Sequence, residues 1–228
     1  MKMKEIMRWQ RLVHYAAAMI GGFWGGYTIF NHMDIFGNAQ TGNLIKAVLS
    51  SAEGKFAFVG WMLLSFLVYA AGNVFYVLVR RRVSVSMKIV SLICSGAAVI
   101  LTGAIADVAP NDFVACYPLI FAAPVQWNAY KIANGNSSST IFSSNNVRQA
   151  VMLTTNYCLS RDIRTAAKAR FYWLTLLAFH IGVAFSGFMS LLVGLQSIWL
   201  CFVPILLTTA AYCVYQNEKL RVAALVSA

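Results

Sequence analysis

Two runs of small polar residues carry the chemistry that this chain could do. The first is Gly37-Asn38-Ala39-Gln40-Thr41-Gly42-Asn43. The second is Asn134-Gly135-Asn136-Ser137-Ser138-Ser139, followed by Ser144-Asn145-Asn146. Each interrupts an apolar stretch and leads into a short apolar stub, Leu44 to Leu49 or Val147 to Leu153. Thr41, Asn43, Ser144 and Asn146 are suitable helix N-caps, and Gly42 admits close backbone approach. A helix N-terminus offers free N–H groups and a partial positive charge to a polar or anionic ligand. Two such ends facing one another would form a small-solute pocket of Gln40, Thr41, Gly42, Asn43, Ser144, Asn145 and Asn146. Ordinary surface loops are the alternative reading of both runs.

Other residues extend this candidate site. Lys46 and Arg148 fall near the first turns of the two stubs, where a cation opposes the helix dipole. Charge neutralisation of an anionic substrate would explain them, and Arg148 is counted with the site; snorkelling to headgroups is the alternative. Gln126 and Asn128 follow Pro124, which frees a carbonyl and bends its helix, so they suit a pore-lining face or an interhelical hydrogen bond. His32 and Asp34 could share a proton, as could His180 if it faces the cavity. Asp34 at an interface would instead be simply solvated, and His180 could be a packing residue.

Enzyme chemistry finds no footing. Ser186-Gly187 echoes part of a membrane serine protease motif, but His180 on the same helix lies about 240° round. Asp107 and Asp112 read as loop residues rather than a buried aspartyl pair. Neither a metal-spaced His/Glu cluster nor a phosphate-binding loop appears. The chain reads as a non-enzyme that needs no cofactor or metal.

The elements that must position these residues are membrane helices. Of the 228 residues, 60% are hydrophobic and only 11% charged, with a mean hydropathy of +0.67. That is too much apolar surface for a water-soluble domain of this length to hide. A hydrocarbon core about 30 Å thick takes about 20 apolar residues. Runs of that kind fall at about 12–33, 56–79, 88–106, 113–133, 170–193 and 197–215. The apolar run at the N-terminus is too long and too glycine-rich for a cleaved signal peptide. Gly21, Gly22, Gly25 and Gly26 form overlapping Gly-x-x-x-Gly pairs on the first span. Helix packing is their default reading, with a gating helix or a homodimer seam as alternatives. The five cysteines are scattered and form no Cys-x-x-Cys pair.

The net charge of +11 would suggest nucleic acid for a soluble protein, but its distribution argues against that partner. The clusters at Lys2–Arg11, Arg80–Lys88, Arg161–Arg170 and Lys219–Arg221 all fall on one side after six crossings. This positive-inside pattern predicts cytoplasmic termini, contact with lipid headgroups, and a multi-pass protein of a plasma membrane. That topology also puts the Asn136-Ser137-Ser138 sequon on the wrong side for glycosylation.

Each half reads as long helix, break, stub, long helix, long helix, over residues 12–109 and 113–216 of a single membrane domain, 1–228. Three crossings per half make the second copy inverted. The fold expected is therefore all-α: six transmembrane helices as two inverted three-helix repeats, each with a re-entrant break and half-helix.

The run Gly21-Gly22-Phe23-Trp24-Gly25-Gly26-Tyr27-Thr28, with Phe36-Gly37-Asn38-Ala39-Gln40-Thr41-Gly42-Asn43, resembles the YoaK-like family of bacterial six-helix inner-membrane proteins of unknown function. Gln126-Trp127-Asn128-Ala129-Tyr130 and Phe179–Gly187 look like its fourth-helix and fifth-helix motifs. The resemblance spans nearly the whole chain and implies a six-helix fold in a bacterial inner membrane, with no established substrate. The chain departs from it at Gly25, where relatives carry an acid, and at Met33-Asp34, where they carry two glycines.

The expected function is a small secondary transporter of a polar or anionic solute, working by alternating access. A channel on the same architecture is one alternative, and a membrane scaffold is another. The chain could work alone or as a homodimer.

Overall fold

The computed structural model describes residues 2–33 and 35–226. Asp34, assigned above to proton coupling, lies outside the described residues. The chain is all-helical apart from one tiny hairpin. Its elements are α1 (Lys2–Asn31), α2 (Thr41–Ala52), α3 (Phe56–Arg82), α4 (Met87–Ile105), α5 (Asp112–Tyr130), β1 (Ile132–Ala133), β2 (Asn136–Ser137), α6 (Ser144–Ser160), α7 (Ile163–Val193), a 3-10 helix (Gly194–Cys201) and α8 (Phe202–Val226).

Among the described residues, three helical stretches are long and apolar enough to cross a membrane: Phe56–Arg82, Met87–Ile105 and Ile163–Leu225. The third is α7 and α8 joined through the 3-10 helix, with Gly194 at φ +57° at the junction. Six spans were expected, and α1 and α5 are less apolar than these three stretches for a physical reason. They occupy the centre. Val13, Ala17, Ile20, Phe23, Trp24 and Tyr27 of α1 are buried, as are Cys116, Leu119, Ala123 and Gln126 of α5. A helix that meets protein on most sides has no need of a lipid-facing apolar surface, so it can carry Gly, Trp, Tyr and Gln instead. The outer helices show the reverse. Leu67, Ile93, Leu191 and Leu206 point outward at 60–70% exposure, an apolar surface uncommon on water-soluble monomers.

Neighbours are exchanged between the two ends of the sequence. α1 packs chiefly against α7 and α8, whereas α5 packs against α3 and α4. α2 lies on α3, and α6 lies on α7. Gly22 makes the α1–α7 approach possible, since a Cβ there would strike the Phe179 carbonyl. The contact is reciprocated by Gly182 against the Met19 carbonyl.

Two expected boundaries shift. The stubs of six and seven apolar residues become helices of 12 and 17 residues. In the polar end of α6, Thr154, Thr155 and Ser160 return their hydroxyls to the carbonyls four residues back, a bond that a helix accommodates without being favoured by it. At the other end, the expected Gly194–Ser197 turn runs on as a 3-10 helix to Cys201, so α8 starts later than the sixth span was drawn.

Candidate functional site

Both breaks are held by an asparagine one turn into the helix that follows. In the first, Asn43 Oδ1 accepts from the Phe36 amide at 2.9 Å while its Nδ2 donates to the Phe36 carbonyl at 3.0 Å. In the second, Asn146 Oδ1 accepts from the Ser139 amide at 3.3 Å while Nδ2 donates to the Ser139 carbonyl at 2.7 Å. Each asparagine thus substitutes for a missing strand partner of a residue seven positions upstream. That satisfies backbone groups which would otherwise be costly to bury. Asn43 and Asn146 are themselves buried. The capping role expected of them is therefore corrected: α2 and α6 start after Gln40 and Ser143, and neither N-terminus has a side-chain cap. α4, α5 and α7, by contrast, are capped by Ser86, Asn111 and Asp162.

The two breaks converge on α1. Asn38 donates to the Gly21 carbonyl at 3.1 Å, and Gly37 donates to Thr28 Oγ1 at 2.9 Å. From the other side, the Thr140 carbonyl lies where a Cβ of Gly21 would be. Gln126 joins them, giving Nε2–H to the Ala17 carbonyl at 2.8 Å and lying 3.4 Å from Thr140 Oγ1. Gly25 faces Asn38, and Gly26 faces Ser186 and Val183 of α7. So Gly22 and Gly26 turn toward α7, while Gly21 and Gly25 admit one break each.

Between the breaks is a cavity of about 970 Å³. Asn38, Gln40, Thr41 and Gly42 line it from the first break, and Ser143 and Ser144 from the second. The rest is mostly apolar, with Tyr69, Trp127, Phe142 and Phe179 among the walls. The uncapped starts of α2 and α6 border this space, so helix N-termini stand beside it, and among the described residues no charged side chain lines it. Gln40 accepts from Ser65 Oγ through Oε1, leaving its buried Nε2 without a partner.

A DUF1275 profile, describing a protein of unknown function, matches residues 13–211. The chain belongs to the DUF1275 family. The match runs from α1 into α8 and takes in both breaks and the cavity between them. No curated protein and no solved structure matches the chain.

Several residues assigned to the site lie elsewhere. Arg148 is exposed and bonds Asn145 at 3.2 Å on the outer face of α6, because the helical twist carries position 148 away from the buried side marked by Asn146 and Ala150. Lys46 sits over the Phe36 ring at 5.8 Å and does not line the cavity. His180 is exposed and bonds the Leu176 carbonyl of its own helix. Asn128 is used internally, donating to Asn73 and to the carbonyl that Pro124 carries.

His32 pairs with an acid that the sequence reading had not given it. Its Nδ1 lies 2.9 Å from Asp112 Oδ1, and Nε2 is 3.4 Å from the Tyr27 hydroxyl, which donates to the Leu195 carbonyl. Asp112 was read as a loop residue; it opens α5 instead and is about one-third exposed. Sequence reasoning also passed over His14, which is buried and gives Nδ1–H to the Tyr130 carbonyl while Nε2 meets Ser138 Oγ at 3.0 Å. One signal could have found more of this. A single offset of 103 residues relates Phe36, Gln40, Thr41 and Asn43 to Ser139, Ser143, Ser144 and Asn146, and also pairs Trp24 with Trp127 and Tyr27 with Tyr130.

Proposed function

We propose that this chain is a small secondary transporter whose solute binds in the cavity between the two breaks. The observation that carries the reading is that one cavity of about 970 Å³ is lined by both breaks and bordered by two uncapped helix starts. Sites at paired discontinuous helices are the usual arrangement of such transporters. The lining favours a solute with a polar or anionic end for the N–H groups and an apolar body for the aromatic walls. Among the described residues it holds no arginine or lysine to demand a full negative charge.

In this reading the chain is a multi-pass membrane protein of six crossings, with α1 and α5 as central spans and α7 and α8 as separate ones. Residues 12–109 and 113–216 form two inverted repeats, and both termini are cytoplasmic, as the basic residues suggest. The exchanged packing of α1 and α5 and the common 103-residue offset support the repeat. A YoaK-like, bacterial inner-membrane setting is compatible with the DUF1275 membership. Rocking of one half against the other would open the cavity to either side in turn.

The test is ligand-dependent melting of the purified protein across a panel of small metabolites. A ligand at a hundredfold excess over Kd should stabilise the fold by about 2.7 kcal/mol. Gln40→Leu, which removes a lining polar group, and Ser144→Trp, which fills the space, should abolish the shift without lowering the ligand-free melting temperature much. A shift that survives both variants would place the ligand elsewhere. A saturable flux in vesicles then separates transporter from channel.

A further inference from the structure

A second cavity, of about 550 Å³, lies between the N-terminal turns of α1 and the start of α7, remote from the breaks. Arg8, Arg11 and Arg170 ring it, and its floor is apolar, with Ala167 and Leu174 on the α7 side. The Arg11 and Arg170 guanidinium groups both bear electrostatically on the Tyr15 phenol, which also lines the groove. Among the described residues the ion pairs are His32–Asp112, Lys55–Glu53 and Arg221–Glu218, so none of these three arginines is matched by a carboxylate. Three cations converging above an apolar floor fit one kind of ligand well: an anionic head attached to a hydrocarbon tail. The groove also sits where the charged ends of α1 and α7 give way to their apolar segments; in the six-crossing reading proposed above, on which this inference rests, that is the depth of a phospholipid headgroup. A volume of this size admits a phosphodiester, its glycerol and the first carbons of an acyl chain.

We infer that this groove is a specific binding site for an anionic glycerophospholipid, with the phosphate held by Arg8, Arg11 and Arg170 and an acyl chain laid along Ala167 and Leu174. Guanidinium groups suit this role because their planar donors pair with phosphate oxygens two at a time. Basic pockets between helix ends are a known route to lipid selectivity. The proposal is independent of the cavity between the breaks and of any solute there.

The experiment is native mass spectrometry of the full-length protein in detergent, titrated with dioleoyl-phosphatidylglycerol or dioleoyl-phosphatidylcholine. The wild type should bind the anionic lipid on the order of tenfold more tightly or better. R8Q/R11Q/R170Q should erase that preference, whereas R80Q/R81Q/R82Q, equal in charge lost, should keep it. Ala167→Trp, which fills the groove and leaves every arginine, should weaken binding as well. If the first triple variant does not fold, Arg170→Gln and Ala167→Trp carry the test alone. Equal loss in both triple variants would reduce the effect to general surface charge and overturn the site. So would unchanged binding in Ala167→Trp. Full competition by millimolar inorganic phosphate would show a soluble-anion site and overturn the lipid assignment.

Discussion

The two breaks share a clamp but differ in everything that surrounds it. The first leaves α1 at Asn31, passes His32 and re-enters at Thr41; the second leaves α5 at Tyr130 and re-enters at Ser144, so it is four residues longer. The extra length is a hairpin, with Ile132 and Ala133 opposite Ser137 and Asn136 and with Asn134 and Gly135 at positive φ. An Asn-Gly pair is the preferred sequence for that tight turn. Each break is also backed by a buried histidine, His14 within α1 and His32 just after its end, but with different partners. His32 faces a carboxylate, Asp112. His14 faces only neutral oxygens, the Tyr130 carbonyl and the Ser138 hydroxyl. One clamp with two different anchors suggests that the clamp is the shared requirement and that the anchors set how firmly each side is held.

Breaking the clamps should give the largest effects. Asn43→Leu orphans the Phe36 amide and carbonyl, and Asn146→Leu orphans the Ser139 pair. At about 1–3 kcal/mol per buried orphan, each variant should lose on the order of 2–6 kcal/mol. Asn146→Leu should be the worse, because Ser138 Oγ also donates to Asn146 at 2.9 Å and so ties His14 to the same amide. Melting of the two purified variants in one detergent measures this. Equal losses would show that the anchors add nothing to the clamps.

The anchors come next. His32 presents Nδ1 to the Asp112 carboxylate and Nε2 to the Tyr27 hydroxyl. Asp112→Asn keeps the shape and removes the counter-charge. With Asp112 about one-third exposed, the loss should be about 1–2 kcal/mol, toward the low end for a hydrogen bond to a charged group. Ser138 has one hydroxyl proton for two acceptors, Asn146 Oδ1 and, when His14 is neutral, its Nε2. Ser138→Ala should therefore cost about 1 kcal/mol, since only one of the two bonds could be fully made. A larger loss in Ser138→Ala than in Asp112→Asn would reverse the ranking and make the neutral anchor the stronger one.

Much of this frame was legible in the sequence, for a simple reason. Apolar length and polar interruption are local properties, and both breaks could be placed within a few residues from Gly37–Asn43 and Asn134–Asn146 alone. Helix ends were legible to within a few residues where composition changes abruptly, as between residue 79 and Arg82, and not at Thr154–Asn156, a polar run that α6 passes through to Ser160. What the sequence hid was pairing at a distance. Asp112 and His32 are 80 residues apart, and His14 and Ser138 are 124 apart. Local patterning offers no signal for such contacts. Direction around a helix was the other loss: Arg148 was assigned from its place in the first turn of a stub and His180 on the condition that it face the cavity, and both turn outward.

That twist also sets the smallest difference between the two sides. Lys46 and Arg148 occupy similar places early in α2 and α6, and charge alone would give them one role. Lys46, however, lies over the ring of Phe36, the residue that Asn43 clamps, whereas the exposed Arg148 reaches Asn145 on its own helix. A half-buried cation–π contact stabilises by about 0.5–1 kcal/mol. An exposed side-chain hydrogen bond competing with water contributes almost nothing. Lys46→Met, which keeps the length of the side chain and removes its charge, should lower the melting temperature slightly, and Arg148→Met should leave it unchanged. Neither should alter ligand binding, since neither side chain lines the cavity. If Arg148→Met instead abolished a ligand shift that Lys46→Met retained, the arginine would have to reach the solute in another state of the protein. The difference between the two breaks would then be one of function as well as of firmness.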